Sequence, residues 1–232
     1  MKIIHFMNRF ILSKKNIIRL ACSDMAGKWM FGDNYIVVPN GLNVERYKIS
    51  KEELETKERK TLILLSVGRI EKQKNYMFML PVIKRLKDKG VKLKYFIAGD
   101  GILREKLQKK IQNYGLSDCI ELLGNVAHIE KLLKKAHIFV MPSLYEGFSI
   151  AHLEAQCNGI ACIISNKIPA ESMLCKNVFS VPLNVNRWVS KIEELWAEEK
   201  TGFLYENYKM IAESAYSLEG LGKNMRSVYR SN

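Results

Sequence analysis

This 232-residue sequence contains no D-x-D, no G-x-G-x-x-G and no Walker A pattern. Their absence argues against a dehydrogenase or an NTPase. Its five cysteines (Cys22, Cys119, Cys157, Cys162 and Cys175) show no C-x-x-C spacing. An odd, scattered set of this kind reads as reduced thiols in a cytosolic protein, not as a disulfide framework. His5, His128, His137 and His152 stand at no metal-ligand spacing from the cysteines or from each other, so no metal is expected. His152 and Glu154 are two apart and would face different directions on a helix. No run of about 18 apolar residues exists to span a membrane. The basic N-terminus is interrupted at Asn8, Arg9 and residues 13–16, where a signal peptide needs an apolar core, so secretion is not expected.

Acidic residues are also scarce, 24 against 37 Lys and Arg, for a net charge of +13. Residues 1–20 carry five basic side chains and no acid, and residues 84–110 carry ten basic against three acidic. Such a field attracts nucleotide phosphates, nucleic acid or an anionic membrane leaflet, or it is a solvated basic face. Nucleic acid is set aside, because aromatic residues do not interleave with the basic runs as a stacking surface requires.

In chain order, residues 2–12 read as a basic amphipathic helix, suited to a membrane surface or to packing on protein. Residues 17–21 and 35–38 read as short strands flanking a helix capped by Ser23 and ended at Gly32. Residues 48–60 lack apolar periodicity and read as a solvated linker or loop. Strands then alternate with helices: strands over 62–67, 93–98, 120–123, 138–140 and 161–165, helices over 76–89, 102–114, 129–135 and 149–158. Residues 178–181 suggest an edge strand, and 188–198, 206–216 and the region of Met225 suggest helices. This rhythm with short connections predicts an α/β fold with a doubly wound, parallel, Rossmann-like sheet.

Ligands of such sheets bind at the carboxyl ends of the strands. Gly68-Arg69, Gly99-Asp100, Gly124-Asn125, residues 143–146 and Ser165-Asn166 all fall there. The fullest of these stretches is Met141-Pro142-Ser143-Leu144-Tyr145-Glu146-Gly147-Phe148-Ser149-Ile150-Ala151-His152-Leu153-Glu154. A buried strand leads into a tight turn holding Glu146, and a helix carrying Glu154 follows. The two carboxylates are about 12 Å apart if the segment is fully helical, enough to grip two parts of one elongated ligand. The N–H groups of Phe148, Ser149 and Ile150 form an anion site between them. Gly147 lets the backbone approach a ligand without a Cβ. The alternatives are a capping carboxylate for Glu146, a helix-surface charge for Glu154, solvated cations for Arg69 and Lys74, and a turn with an N-cap for Asp100.

Glu146 and Glu154 in the frame E-G-F-S-x4-E, preceded by Pro142-Ser143, resemble the E-x7-E signature of retaining glycosyltransferases with the GT-B fold, in the large family four. Val67-Gly68-Arg69 with Lys74-Asn75, Ile97-Ala98-Gly99-Asp100-Gly101, Leu123-Gly124-Asn125-Val126 and Pro39-Asn40-Gly41 fall in the family's order. The resemblance covers residues 17–230, corresponds to the C-terminal half of such an enzyme, and is strongest to bacterial capsule and exopolysaccharide transferases. It implies four segments: a remnant of the acceptor domain over 1–47, a charged loop over 48–60, the nucleotide-sugar-binding domain over 61–203 and C-terminal helices over 204–232.

By the same resemblance, Arg69 and Lys74 contact the donor diphosphate, Glu154 accepts the ribose hydroxyls and Glu146 meets the transferred sugar. Gly68, Asp100, Asn125, Val126, Ser143, Gly147, Phe148, Ser149 and Ile150 complete the donor site. The donor is a nucleotide sugar with uridine as the expected base, and there is no cofactor. The acceptor is a glycan or lipid-linked sugar at the inner face of a membrane. The acceptor-side histidine loop and N-terminal glycine-rich loop have no match here. A separate polypeptide or a homodimer is therefore expected against apolar positions such as Phe6, Phe10, Trp29, Tyr208, Ile211, Tyr216 and Met225. The competing readings are a nucleotide-sugar-binding module without catalysis and a truncated, inactive transferase.

Overall fold

The computed structural model describes residues 17–50, 52–53, 58–198 and 205–230. The helix expected over 2–12 lies outside them. The elements in order are β1 (Leu20–Ala21), α1 (Asp24–Phe31), β2 (Ile36–Val37), β3 (Leu62–Val67), α2 (Met79–Asp88), β4 (Leu93–Ala98), α3 (Arg104–Asn113), β5 (Ile120–Gly124), α4 (Ile129–Lys135), β6 (Ile138–Met141), α5 (Ile150–Asn158), β7 (Ala161–Ser165), β8 (Val178–Val181), α6 (Val185–Ala197), α7 (Tyr205–Ala212) and α8 (Leu218–Arg230). Two compact units result, one from residues 44–211 and one from the flanking segments up to Asn43 and from Ala212.

The larger unit is built on a six-stranded sheet in the order β5-β4-β3-β6-β7-β8, parallel throughout. Every residue of β6 and β7 is buried, because helices cover both faces and no strand face is left for water. Their sequences, Ile-Phe-Val-Met and Ala-Cys-Ile-Ile-Ser, are accordingly continuous apolar runs, not alternating ones. Helix α2 turns Met79, Leu80, Val82, Ile83 and Leu86 to the core, and α6 turns Trp188, Val189, Ile192 and Leu195. Both sets recur at three- and four-residue intervals, the spacing of one helix face. Trp188 packs edge-on against Phe78 at 5.3 Å and donates its indole N–H to Pro182 O at 3.0 Å, so its one polar atom is satisfied in the core.

The smaller unit holds a two-stranded parallel sheet, Leu20 opposite Ile36 and Ala21 opposite Val37, with α1 capped by Ser23. Leu42 donates to Tyr216 O and receives from the Leu218 N–H, tying the first part of the unit to the start of α8.

The short strands read over 17–21 and 35–38 pair with one another as β1 and β2. Two expectations need correction. Residues 48–60 are not a freely solvated loop throughout: Ile49 is buried and Glu53 pairs with Lys134 at 2.9 Å. One isoleucine among charges leaves no period to read, yet it suffices to dock the strand's approach. Ile211, placed on an exposed apolar patch, is fully buried, and the Tyr208 hydroxyl donates to Glu45, whereas Trp29 is indeed 62% exposed. The five cysteines are free. No helix among the described residues is long and apolar enough to cross a membrane, and no metal-binding cluster occurs among them.

Candidate functional site

Strand β3 sits at the middle of the sheet; β4 and β5 run outward on one side, and the chain then crosses to lay β6 on the other. The loops leaving β3 and β6 therefore diverge and open a crevice at the carboxyl ends, the place where doubly wound sheets bind ligands.

Backbone hydrogen bonds stitch the loops of one side together. Gly68 donates to Ala98 O at 2.9 Å, Ile70 to Asp100 O at 2.8 Å and Gly99 to Gly124 O at 2.7 Å. Gly99 has φ +141, and a Cβ there would stand 2.1 Å from Gly68 O, so only glycine permits this approach. At Gly68, φ +147, the space of the missing side chain is taken by Lys74 and the Tyr76 hydroxyl.

The two sides meet through side chains. Lys74 Nζ donates to Glu146 Oε1 at 2.8 Å, with the lysine side chain 15% and the glutamate 8% exposed. Gln73 donates to Tyr145 O at 3.0 Å and to Glu146 Oε2 at 3.3 Å; Asn75, in the left-handed region at φ 55, donates to Pro142 O at 3.1 Å. Leu144 N–H closes onto Gln73 O at 2.8 Å. Arg69 differs from Lys74: its side chain is 74% exposed and rests on Glu71 at 3.2 Å, so it is free to reach a ligand.

Helix α5 follows with Ser149 as its cap, the hydroxyl accepting from the His152 N–H at 3.4 Å. Gly147 and Ile150 are exposed and Phe148 is half-buried at this helix start. Ser143 is fully buried: its carbonyl accepts from Ser165 Oγ at 2.6 Å, and its own Oγ has no partner. Tyr76 Oη is likewise buried without a partner, and burial pushes its pKa well above the usual value. Asp100 is exposed and accepts from the Gly101 N–H at 2.7 Å, while Asn125 and Val126 follow β5 on the same edge.

Glu154 is half-buried, and its Oε1 accepts from the Tyr47 hydroxyl at 2.5 Å. Burial raises its carboxyl above the ordinary range, opposed by the Tyr47 hydroxyl and the Arg46 guanidinium. His152, two residues earlier, is buried against Phe139 with both ring nitrogens unpaired, and burial lowers its pKa to about 3. It is a neutral core residue, not a proton carrier at neutral pH.

The crevice thus gathers two cations, a buried carboxylate, a helix N-terminus and, along α5, a second carboxylate. That set suits an extended phosphorylated ligand. Tyr47, Gln73 and Tyr76 are the neighbours sequence reasoning missed. Tyr47 lies 107 positions from Glu154, and only the fold brings them together.

The family model described as "Glycosyl transferases group 1" matches residues 48–218. The protein EpsF of Bacillus subtilis is 30% identical over 172 residues, covering 69% of this chain and 44% of its own length. The UDP-Gal:alpha-D-GlcNAc-diphosphoundecaprenol alpha-1,3-galactosyltransferase of Escherichia coli is 35% identical over 152 residues, 62% of this chain and 39% of its own. The chain therefore spans about two fifths of the length of these relatives. Among solved structures, Anabaena Alr3699/HepE in complex with UDP and glucose superposes with a TM-score of 0.77 at 16% identity, over 93% of this chain and 63% of that one. Sucrose-phosphate synthase from Thermosynechococcus elongatus gives 0.81 at 18% identity, over the whole chain and 62% of the other.

Proposed function

The chain belongs to the group 1 glycosyl transferases, and we propose that it carries the donor half of a retaining hexosyltransferase. The donor is a UDP-sugar, and the acceptor is a glycan or lipid-linked sugar in polysaccharide biosynthesis. The observation that carries this reading is the junction at the switch point, where Lys74 and Glu146 meet at 2.8 Å across the two diverging loops with Arg69 exposed beside them. The E. coli relative's name specifies a UDP-sugar and a polyprenyl-diphosphate acceptor, and the HepE structure contains UDP and glucose. Both are consistent with the same chemistry here.

Breaking the bond between the anomeric carbon and the diphosphate builds negative charge on the leaving phosphate. Stabilising that charge is the largest contribution a protein can make. Arg69 reaches the diphosphate from solvent and Lys74 from below, with the start of α5 adding its N–H groups. No metal is needed for this neutralisation. Glu146, held by Lys74 and Gln73, faces the transferred sugar, where it binds a hydroxyl or supports positive charge at the anomeric centre. Glu154 lies along α5 at the ribose. The family's acceptor-side histidine loop has no match in this sequence, so we assign acceptor recognition to another domain, in the same polypeptide or in a partner.

Calorimetric titration with UDP and a panel of UDP-sugars tests the reading. Saturable binding weakened by both Arg69→Ala and Glu154→Ala is expected. Binding that neither substitution changes would remove the site from this crevice.

A further inference from the structure

The segment just before the sheet is strapped onto α5, and the Tyr47 side chain of this strap touches the candidate donor site at Glu154. Tyr47 is 6% exposed and follows a single 3-10 turn, Val44–Arg46. Its carbonyl accepts from Asn158 Nδ2 at 3.0 Å, and Val44 O accepts from Cys157 Sγ at 3.8 Å, so the strap is pinned to the last turn of the helix. From that anchor the Tyr47 hydroxyl reaches back one turn and donates to Glu154 Oε1 at 2.5 Å. No described residue hydrogen-bonds Oε2.

Two consequences follow. A free carboxylate rotates about its last torsion with little resistance, because that torsion is broad; one bonded to a buried, doubly anchored tyrosine does not. The two oxygens also cease to be equivalent, since one is engaged inside the protein and the other is left for a ligand. The other charged groups near this carboxylate are Arg46 and Glu130, themselves paired at 3.4 Å.

We propose that Tyr47 is a positioning residue which fixes the Glu154 carboxylate so that Oε2 reads the ribose of the donor, making the site selective for ribonucleotides over 2′-deoxyribonucleotides. This rests on the reading of Glu154 as the ribose acceptor. Phenylalanine at position 47 would keep the ring and the packing and lose only the hydroxyl that orients the carboxylate.

The experiment measures UDP and 2′-deoxy-UDP affinity by calorimetry for the full chain, Tyr47→Phe and Glu154→Gln, with melting curves and a pH series for each. In Tyr47→Phe the preference for UDP over 2′-deoxy-UDP should shrink about fivefold, the effect of losing one well-oriented hydrogen bond. Its acid limb of UDP binding should move to higher pH, because a donor that favours the charged carboxylate is gone. A strap with only a structural role would shift the melting point and leave both the ratio and the acid limb unchanged, which overturns the inference. If Glu154→Gln also leaves the ratio unchanged, the assignment of the ribose to Glu154 falls, and the inference with it. If Glu154→Gln lowers the ratio and Tyr47→Phe does not, the inference alone falls. Tyr47→Met serves as a second hydroxyl-free variant should Tyr47→Phe not fold.

Discussion

Lys74→Met removes a charge and keeps most of the side-chain volume, which isolates the electrostatic role of the junction. Both members of the pair are largely withdrawn from water, at 15% and 8% side-chain exposure, and 2.8 Å apart. Removing one partner of such a buried pair leaves an uncompensated charge, at a cost of about 3–5 kcal/mol. Gln73 still donates to Glu146 Oε2 at 3.3 Å, so the lower end, about 3 kcal/mol, applies here. For a domain of this size that lowers the melting temperature by about 6–12 °C. Adding Glu146→Gln removes the stranded charge and should recover more than half of the loss, because the double variant has no buried ion to hold. Urea denaturation and thermal melting of the single and double variants measure both quantities. A Lys74→Met protein that melts within about 2 °C of the parent would show that the pair is effectively solvated. The picture of a buried electrostatic clamp across the crevice would then be wrong.

Arg69→Ala should leave stability within about 0.5 kcal/mol, since its side chain is 74% exposed. It should weaken UDP binding by about 10- to 150-fold if the guanidinium makes a charge-assisted bond to the diphosphate; a calorimetric constant like the parent's would count against that role. His152 is held neutral by burial with a pKa of about 3, whereas the unfolded chain protonates near the ordinary 6.5. Its depressed folded value means the unfolded state takes up more protons below pH 6.5, so stability falls as pH drops through that window. Between pH 7.5 and 5 this costs about 2 kcal/mol, and His152→Leu should flatten the denaturation midpoint over the same range; an unchanged pH dependence would contradict the assignment. Gly99→Ala forces a Cβ to 2.1 Å from Gly68 O at φ +141 and should destabilise by several kcal/mol, read by urea midpoint.

The six strands were legible because short turn-rich connections separate them and because the central ones, β3, β6 and β7, are nearly continuous apolar runs. Strands 62–67, 93–98 and 161–165 coincide with β3, β4 and β7. Helix boundaries were less legible. The helix read from Tyr76 begins as a 3-10 turn at Tyr76–Phe78 and becomes α-helical only at Met79, a change of pitch that apolar spacing does not encode. In the candidate site, the placement of Gly68, Arg69, Asp100 and Glu146 on one edge could be argued from strand ends alone. The partners could not. That Lys74 would be committed to Glu146, that Ser143 would be buried and that Tyr47 would hold Glu154 depend on contacts across 72 and 107 positions. Ile49 was misplaced because an isolated isoleucine among charges carries no period, and Ile211 because the side of its helix that is covered depends on contacts that spacing does not encode.

The central claim is that the crevice between the β3 and β6 loops holds a nucleotide diphosphate. Calorimetric titration of the full chain with UDP, alongside Arg69→Ala and Glu154→Ala, addresses it most directly. The account predicts one saturable site with both variants weakened, Arg69→Ala through the diphosphate and Glu154→Ala through the ribose. UDP binding that is absent in the folded parent, or that survives both substitutions unchanged, would contradict it.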